Sequence, residues 1–201
     1  DYREQAAKLY TFKYSPDFPI PIATTRPETK LGDTAVAVHP QDERYKQYIG
    51  QIYSLDFCGQ PLTLKIIADR SVDRNFGTGA VGVTPAHSLS DWQLAEKYNL
   101  PMVKVIDNDG LLKDNLGPFS NLSTLAAREL IVAELKKLGL LIKEETVINN
   151  LSVCYRCGTP IEPLPSKQWF VSVDKPLARL NGHSLKTAAY EVVKNGQIKF
   201  T

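Results

Sequence analysis

The chain has 201 residues, 43% apolar and 23% charged, which is material for one sizeable domain or a domain plus a small module and excludes a disordered segment. A formal net charge of +2 without any lysine or arginine block argues neither for nor against a nucleic-acid partner, because a basic patch can sit on a neutral domain. No apolar run approaches the roughly 20 residues of a membrane-spanning helix, and Asp1-Tyr2-Arg3-Glu4-Gln5 has no signal-peptide character.

Residues 6–14 mix apolar and β-prone side chains and predict a strand, broken by Pro16, Pro19 and Pro21 before a second strand over 22–25. Pro27 and Gly32 interrupt the chain, and 34–38 resumes as a strand. A short polar helix is predicted over 41–48, closed by Gly50. Strands follow over 52–57 and 62–68, with Gly59-Gln60-Pro61 as their turn, and Cys58 falls inside the strand segment. A short apolar strand over 80–84 lies between Gly77, Gly79 and Pro85. A helix over 89–98 ends at Asn99-Leu100-Pro101. Residues 102–106 predict another strand, ahead of an Asp107-Asn108-Asp109-Gly110 turn. The clearest helix covers 124–138 with Gly139 as its stop, and Leu125, Ala126, Leu130, Val132 (or Ala133), Leu135 and Leu138 approximate its apolar stripe. Character changes near Asn149-Asn150. Cys154-Tyr155-Arg156-Cys157-Gly158-Thr159-Pro160 forms a tight knuckle, 168–173 predicts a strand, and 185–194 a helix stopped by Gly196. The sum is a mixed, strand-rich α/β body with a small appended module. The absence of an initiator methionine reads as a segment of a longer protein, and three cysteines suit a reducing compartment.

Three constellations carry chemistry. Thr24, Thr25, Arg26, Glu28 and Thr29 gather hydroxyls, a guanidinium and a carboxylate on one segment, able to line a pocket for a ribose, an ester carbonyl or a polar side chain. The same residues also suit an ordinary strand and capped turn. Gly77-Thr78-Gly79 permits close backbone approach to a ligand ahead of Thr84-Pro85-Ala86-His87-Ser88-Leu89-Ser90-Asp91. Asp91, in the first turn of a helix, can bind an ammonium by a charge-assisted hydrogen bond. It equally fits a capping box with Ser88 as cap. By spacing alone His87 is a structural or rim residue, and no Ser/His/Asp arrangement is identifiable. Cys154-x-x-Cys157 can supply half of a tetrahedral zinc site, but Cys58 is the only other cysteine.

Two stretches resemble the walls of the editing site of valyl-tRNA synthetases. One is Ala23-Thr24-Thr25-Arg26-Pro27-Glu28-Thr29-Lys30-Leu31-Gly32-Asp33-Thr34-Ala35-Val36-Ala37-Val38-His39-Pro40, the other Phe76-Gly77-Thr78-Gly79-Ala80-Val81-Gly82-Val83-Thr84-Pro85-Ala86-His87. The resemblance covers nearly the whole chain, through Asp42-Glu43-Arg44-Tyr45, Ala127-Arg128, Pro160-Ile161-Glu162 and Gln168-Trp169-Phe170-Val171. Isoleucyl and leucyl enzymes are the nearest alternative families. The resemblance implies a compact domain around a distorted β-barrel with peripheral helices over 1–148, and over 149–201 a return segment with the Cys-x-x-Cys knuckle leading back to the synthetic domain.

It further implies hydrolysis of threonine wrongly attached to tRNA(Val), with Asp91 holding the α-amino group. Thr84 would lie near the substrate side chain, and Thr24, Thr25, Arg26 and Thr29 on the opposite wall and terminal-adenosine region; Glu28 and His87 join the substrate-binding set. A positioned water would attack, with no cofactor for editing. Zinc at Cys154 and Cys157 would need a second pair from elsewhere in the full-length enzyme, and ATP would serve only the synthetic domain. The implied partners are the tRNA(Val) acceptor end and the remainder of a cytoplasmic, monomeric synthetase. The family commonly has lysine where Gly82 stands, aspartate where Ser88 stands, tyrosine at Trp92 and methionine at Lys30. Losing one cation and one carboxylate together reads as removal of a compensating pair. These departures keep a second reading open, a degenerate insertion that braces the synthetase or positions tRNA. A free-standing zinc-knuckle RNA binder is disfavoured by the single cysteine pair.

Overall fold

Proline, glycine and left-handed turns set where the strands begin and end. In the computed structural model, which describes residues 1–200, β1 (Tyr2–Phe12) is exposed over its first half and buries Leu9, Thr11 and Phe12 at its end. The three prolines then hold the chain out of regular pairing until the short β2 (Ile22–Thr24), which returns antiparallel to β1. A 3-10 turn (Pro27–Gly32) leads into β3 (Ala35–Val38), all four of whose residues are buried. β4 (Ile52–Phe57) and β5 (Gln60–Ala68) form a hairpin. Its turn is Cys58-Gly59, with φ of 52° and 82°, the two left-handed positions that match strand twist. The predicted turn therefore moves: Gln60 and Pro61 belong to the strand, and Cys58 to the turn. β6 (Ala80–Val83) pairs antiparallel with β3, and β3 lies parallel to β5, giving the order β4-β5-β3-β6.

Helix α1 (Leu89–Tyr98) begins and ends where its signals place it, with Ser88 as cap and Asn99 left-handed at the C-terminus. Helix α2 (Thr124–Lys137) is capped by Ser123 and stopped by Gly139, where the Leu140 amide returns to the Leu135 carbonyl at 2.9 Å. Its buried face is Ala127, Ile131, Val132 and Leu135: the predicted stripe holds at Val132 and Leu135, but Leu125, Leu130 and Leu138 are exposed and Ala127 and Ile131 take the buried positions. β7 (Leu141–Ser152) runs back along β1 from Phe12↔Leu141 to Tyr2↔Ser152 with a bulge at Thr11/Phe12, completing a sheet β2-β1-β7.

The main core lies among Phe12, Tyr14, Phe18, Ile22, Phe57 and their neighbours, with ring centroids 5.2–5.7 Å apart in the Phe12–Tyr14–Phe18–Phe57 set. A second cluster, Ala35, Ala37, Ile67, Val72 and Val83, packs beneath Leu94 and Tyr98 of α1. The four-stranded sheet is thus covered on both faces, which explains the unbroken apolar run of β3. The mixed α/β expectation holds. The distorted barrel does not: among the described residues no ladder joins the two sheets, because β2 is three residues long and hydrogen-bonds only to β1.

Other differences have local causes. The 41–48 segment keeps only a 3-10 turn (Lys46–Tyr48), since the Asp42 side chain takes the Arg44 amide at 3.1 Å in competition with helix. Residues 102–106 form no strand; His87 Nε2 accepts the Val105 and Ile106 amides at 3.0 and 3.2 Å. Residues 168–173 carry no strand, with Trp169 and Phe170 exposed. Residues Asp1–Pro165 form one compact unit and Ser166–Thr201 another, the latter holding α3 (Leu185–Lys194), capped by Ser184. Among the described residues no helix is long and apolar enough to cross a membrane.

Candidate functional site

Asp91 sits where β6 hands over to α1. Ser88 adopts an extended conformation and its Oγ accepts the Asp91 amide at 3.3 Å, so the cap half of the expected box forms. The reciprocal half does not. Asp91 Oδ2 instead accepts the backbone N–H of Thr84 at 2.8 Å, tying the helix to the end of β6. Its Oδ1 has only the Ser90 hydroxyl, at 3.3 Å. Asp91 is 7% exposed and lines a cavity of about 530 Å³ with Asp69, Asp73, Phe76, Val81 and Leu94. Burial pushes the Asp69 carboxyl up, but hydrogen bonds from Lys97, Ser71 and Tyr98 overcome it and hold the group well below the usual carboxylate range. The Lys97 ammonium is 2.6 Å from it. The cavity lining therefore mixes the carboxylates of Asp69, Asp73 and Asp91, the Lys97 ammonium paired with Asp69, and the apolar Phe76, Val81 and Leu94.

Behind Thr84 lies a buried polar cluster. The Tyr14 hydroxyl donates to Asp33 Oδ2 and the Thr84 hydroxyl to Asp33 Oδ1. Lys30, 5% exposed, directs Nζ at Gly82 O and Thr84 Oγ1, both at 2.8 Å, and at Asp33 Oδ1 at 3.2 Å. Burial raises the pKa of Asp33, against lowering by the Lys30 charge and the Thr84 and Tyr14 hydroxyls, and burial with the adjacent Asp33 carboxylate raises that of Tyr14. A Cβ on Gly82 would run into Asp33 Oδ2 and the Tyr14 hydroxyl and lie 3.1 Å from Ile22 Cδ1, so no larger side chain fits. An ammonium is nonetheless present beside Gly82, brought by Lys30.

The threonine-rich wall is organised around Arg26. Thr24 Oγ1 accepts the Arg26 amide at 3.0 Å, and the Thr29 hydroxyl donates to the Arg26 carbonyl at 3.0 Å. Glu28, 0% exposed, is gripped by Arg128 through Nε at 2.9 Å and Nη2 at 2.7 Å, with Arg26 Nε at 3.3 Å. Arg26 Nη2 also reaches Glu162 at 2.7 Å. Glu28 thus orients Arg26 from beneath. Thr25, Arg26, Arg128, Asn149 and Glu162 line a second cavity of about 400 Å³.

His87 is 3% exposed and pins residues 105–106 as described; burial lowers its pKa to about 4, with the Arg26 charge adding to the effect. Its Nδ1 lies 3.8 Å from Glu162 Oε1. The two walls meet where Ala23 of β2 faces the 77–79 loop: a Cβ on Gly77, at φ +57°, would stand 2.7 Å from Ala23 Cβ. Asp91 lines one cavity, and Thr25 with Arg26 the other. The sequence marks Arg128 and Glu162 only as parts of a pattern and Lys30 only as a departure from the family, and gives Tyr14 and Asp33 no role of their own. A lysine and an aspartate three apart, Lys30 and Asp33, were the available signal.

The knuckle closes through Cys154 N–H to Thr159 O and Gly158 N–H to Cys154 O, both 2.8 Å. The Thr159 hydroxyl, 3.1 Å from Cys157 Sγ, helps lower that thiol's pKa. Among the described residues no group of three or more His, Cys, Asp or Glu is placed to hold a metal.

A family model described as leucyl-tRNA synthetase, editing domain, matches residues 57–127. The valine–tRNA ligase of Thermotoga maritima is 46% identical over 203 residues, covering 100% of this chain and 22% of that protein. That of Carboxydothermus hydrogenoformans is 45% identical with the same coverage. The chain thus spans 22% of the length of these relatives. Among solved structures, GlLeuRS-CP1 aligns with a TM-score of 0.49 at 15% identity, covering 72% of this chain and 99% of that one. Matched along its whole length by valine–tRNA ligases and internally by a synthetase editing domain, the chain belongs to the valine–tRNA ligase family, in the segment that holds the editing domain.

Proposed function

We propose that this domain proofreads by hydrolysing the ester of threonyl-tRNA(Val). Threonine is nearly isosteric with valine, and an apolar synthetic pocket rejects an added hydroxyl by only about 10²-fold. A second site that hydrogen-bonds the hydroxyl discriminates the other way, since valine leaves its polar groups unpaired. The observation that carries this reading is Asp91, which lines a cavity of about 530 Å³: one carboxylate oxygen is fixed by the Thr84 amide, and the other has a single long partner. That volume lies in the range of small-molecule sites. Asp91 Oδ1 takes the α-ammonium of the aminoacyl group. Thr24, Thr25 and Arg26 hold the ribose of the terminal adenosine and the ester. Water attacks the ester carbonyl, the carbonyl–ribose oxygen bond breaks, and the ribose oxygen takes a proton. Positioning and electrostatics supply the rate, with no protein nucleophile and no cofactor. The partners are the acceptor end of tRNA(Val) and the rest of a monomeric cytoplasmic synthetase, in which ATP serves the synthetic site and zinc at Cys154 and Cys157 would draw two further ligands from outside this chain.

The second reading is a non-hydrolytic insertion that positions tRNA. It is favoured by the hydroxyls of Thr24, Thr29 and Thr84, which are already bonded within the protein. Deacylation separates the two. The full-length enzyme should release threonine from threonyl-tRNA(Val), spare valyl-tRNA(Val), and lose about 10²-fold or more in Asp91→Ala. No release above the uncatalysed rate, with valine charging intact, would leave the second reading.

A further inference from the structure

Lys30 has no role in the reading above, yet its ammonium is the only side-chain cation among the described residues that contacts Thr84. All three of its N–H groups are engaged, by Gly82 O, Thr84 Oγ1 and Asp33 Oδ1. Thr84 in turn is fixed at two atoms. Its hydroxyl lies between Lys30 and Asp33, and its amide holds Asp91 Oδ2. A continuous relay therefore runs from the ammonium through one residue to the carboxylate on the cavity wall. The strand beneath has no room for a cation of its own, because Tyr14 and Asp33 fill the space over Gly82.

We infer that Lys30 is a positioning residue for the deacylation site: by clamping Thr84 and the Gly82 carbonyl from the 3-10 turn, it sets the direction in which Asp91 presents its second oxygen, Oδ1. The inference rests on the deacylase reading. The chemistry requires this kind of support. A carboxylate whose second oxygen must meet an ammonium is useful only if the first is anchored, and Thr84 is the anchor. The buried Lys30–Asp33 pair also balances charge locally, so two functions are superimposed: neutralising Asp33 and orienting Thr84. Other ionisable groups around the cluster are Tyr14, Asp91 and His87.

The two functions separate in variants of the full-length synthetase. Lys30→Met keeps the length of the side chain and removes the charge, stranding Asp33. Lys30→Met with Asp33→Asn restores neutrality without restoring the ammonium. Urea unfolding, valine charging, and kcat and KM for threonyl-tRNA(Val) deacylation are measured for each. The expected result is an unfolding midpoint close to the parent in the double variant, valine charging unchanged in both, and deacylation kcat reduced about 10- to 100-fold in both with KM within about twofold. A double variant that recovers kcat along with stability would reduce Lys30 to charge balance and overturn the inference. A parent enzyme with no threonine release would instead overturn the deacylase reading, and this inference with it.

Discussion

Replacing Glu28 with glutamine tests whether the threonine-rich wall is held from below. Glu28 is fully buried and accepts two hydrogen bonds from Arg128, at 2.7 and 2.9 Å, and one from Arg26 at 3.3 Å. Glutamine has the same shape, but one oxygen becomes an NH₂ that must face a guanidinium N–H. The Arg128 side chain is 28% exposed, so water compensates only partly for the lost charge. Breaking a buried pair from one side costs about 3–5 kcal/mol. At about 2–4 °C per kcal/mol for a domain of this size, the melting temperature should fall by roughly 10 °C. Thermal and urea unfolding followed by circular dichroism read this directly. Arg128→Met with Glu28→Gln should cost less than the sum of the single changes, because the second leaves no partner stranded. A Glu28→Gln protein within about 0.5 kcal/mol of the parent, the range of an ordinary surface change, would refute the buried pair as a structural anchor.

His87 gives a pH signature. Its folded pKa, about 4, lies below the ordinary imidazole value near 6.5, so the unfolded chain binds the proton more readily. The stability it contributes is complete above pH 6.5 and is lost as pH falls toward 4, by about 2 kcal/mol between pH 7 and 5. Urea unfolding at both pH values should show a smaller drop in His87→Gln than in the parent; an equal drop would place the titration elsewhere. Two glycines should differ in cost. Gly59, at φ +82°, faces open space, so Gly59→Ala should cost about 1 kcal/mol. Gly77, at φ +57°, adds the collision with Ala23, so Gly77→Ala should cost about 3 kcal/mol in the same unfolding assay. Equal costs would contradict the contact between the two walls.

The parts that sequence made legible were those written locally. Ser88 and Asn99 bracket α1, α3 spans the 185–194 segment predicted as a helix, and Asp107 organises its turn by accepting the Asp109 and Leu111 amides. What stayed hidden depends on distant partners. β7 reads as a polar stretch of Lys143, Glu144, Glu145, Asn149 and Asn150, and becomes a strand because β1 pairs with it from more than a hundred residues away. The 102–106 segment looks like a strand but has two of its amides taken by His87. Glu28 reads as a pocket-wall residue and Lys30 as a departure from the family pattern, and both are buried, each because of oppositely charged partners: Arg128 and Arg26 for one, Asp33 for the other. Asp91 was legible as residue and as helix position, and the capping alternative was half right. Its tie to Thr84 could only come from the fold.

The most direct test of the proofreading claim is mischarging by the full-length enzyme. With ATP, tRNA(Val) and threonine as the only amino acid, the parent should accumulate almost no threonyl-tRNA(Val) while consuming ATP, and Asp91→Ala should accumulate it steadily. Equal accumulation by the two, with valine charging normal in both, would contradict the assignment of this domain as the editing hydrolase.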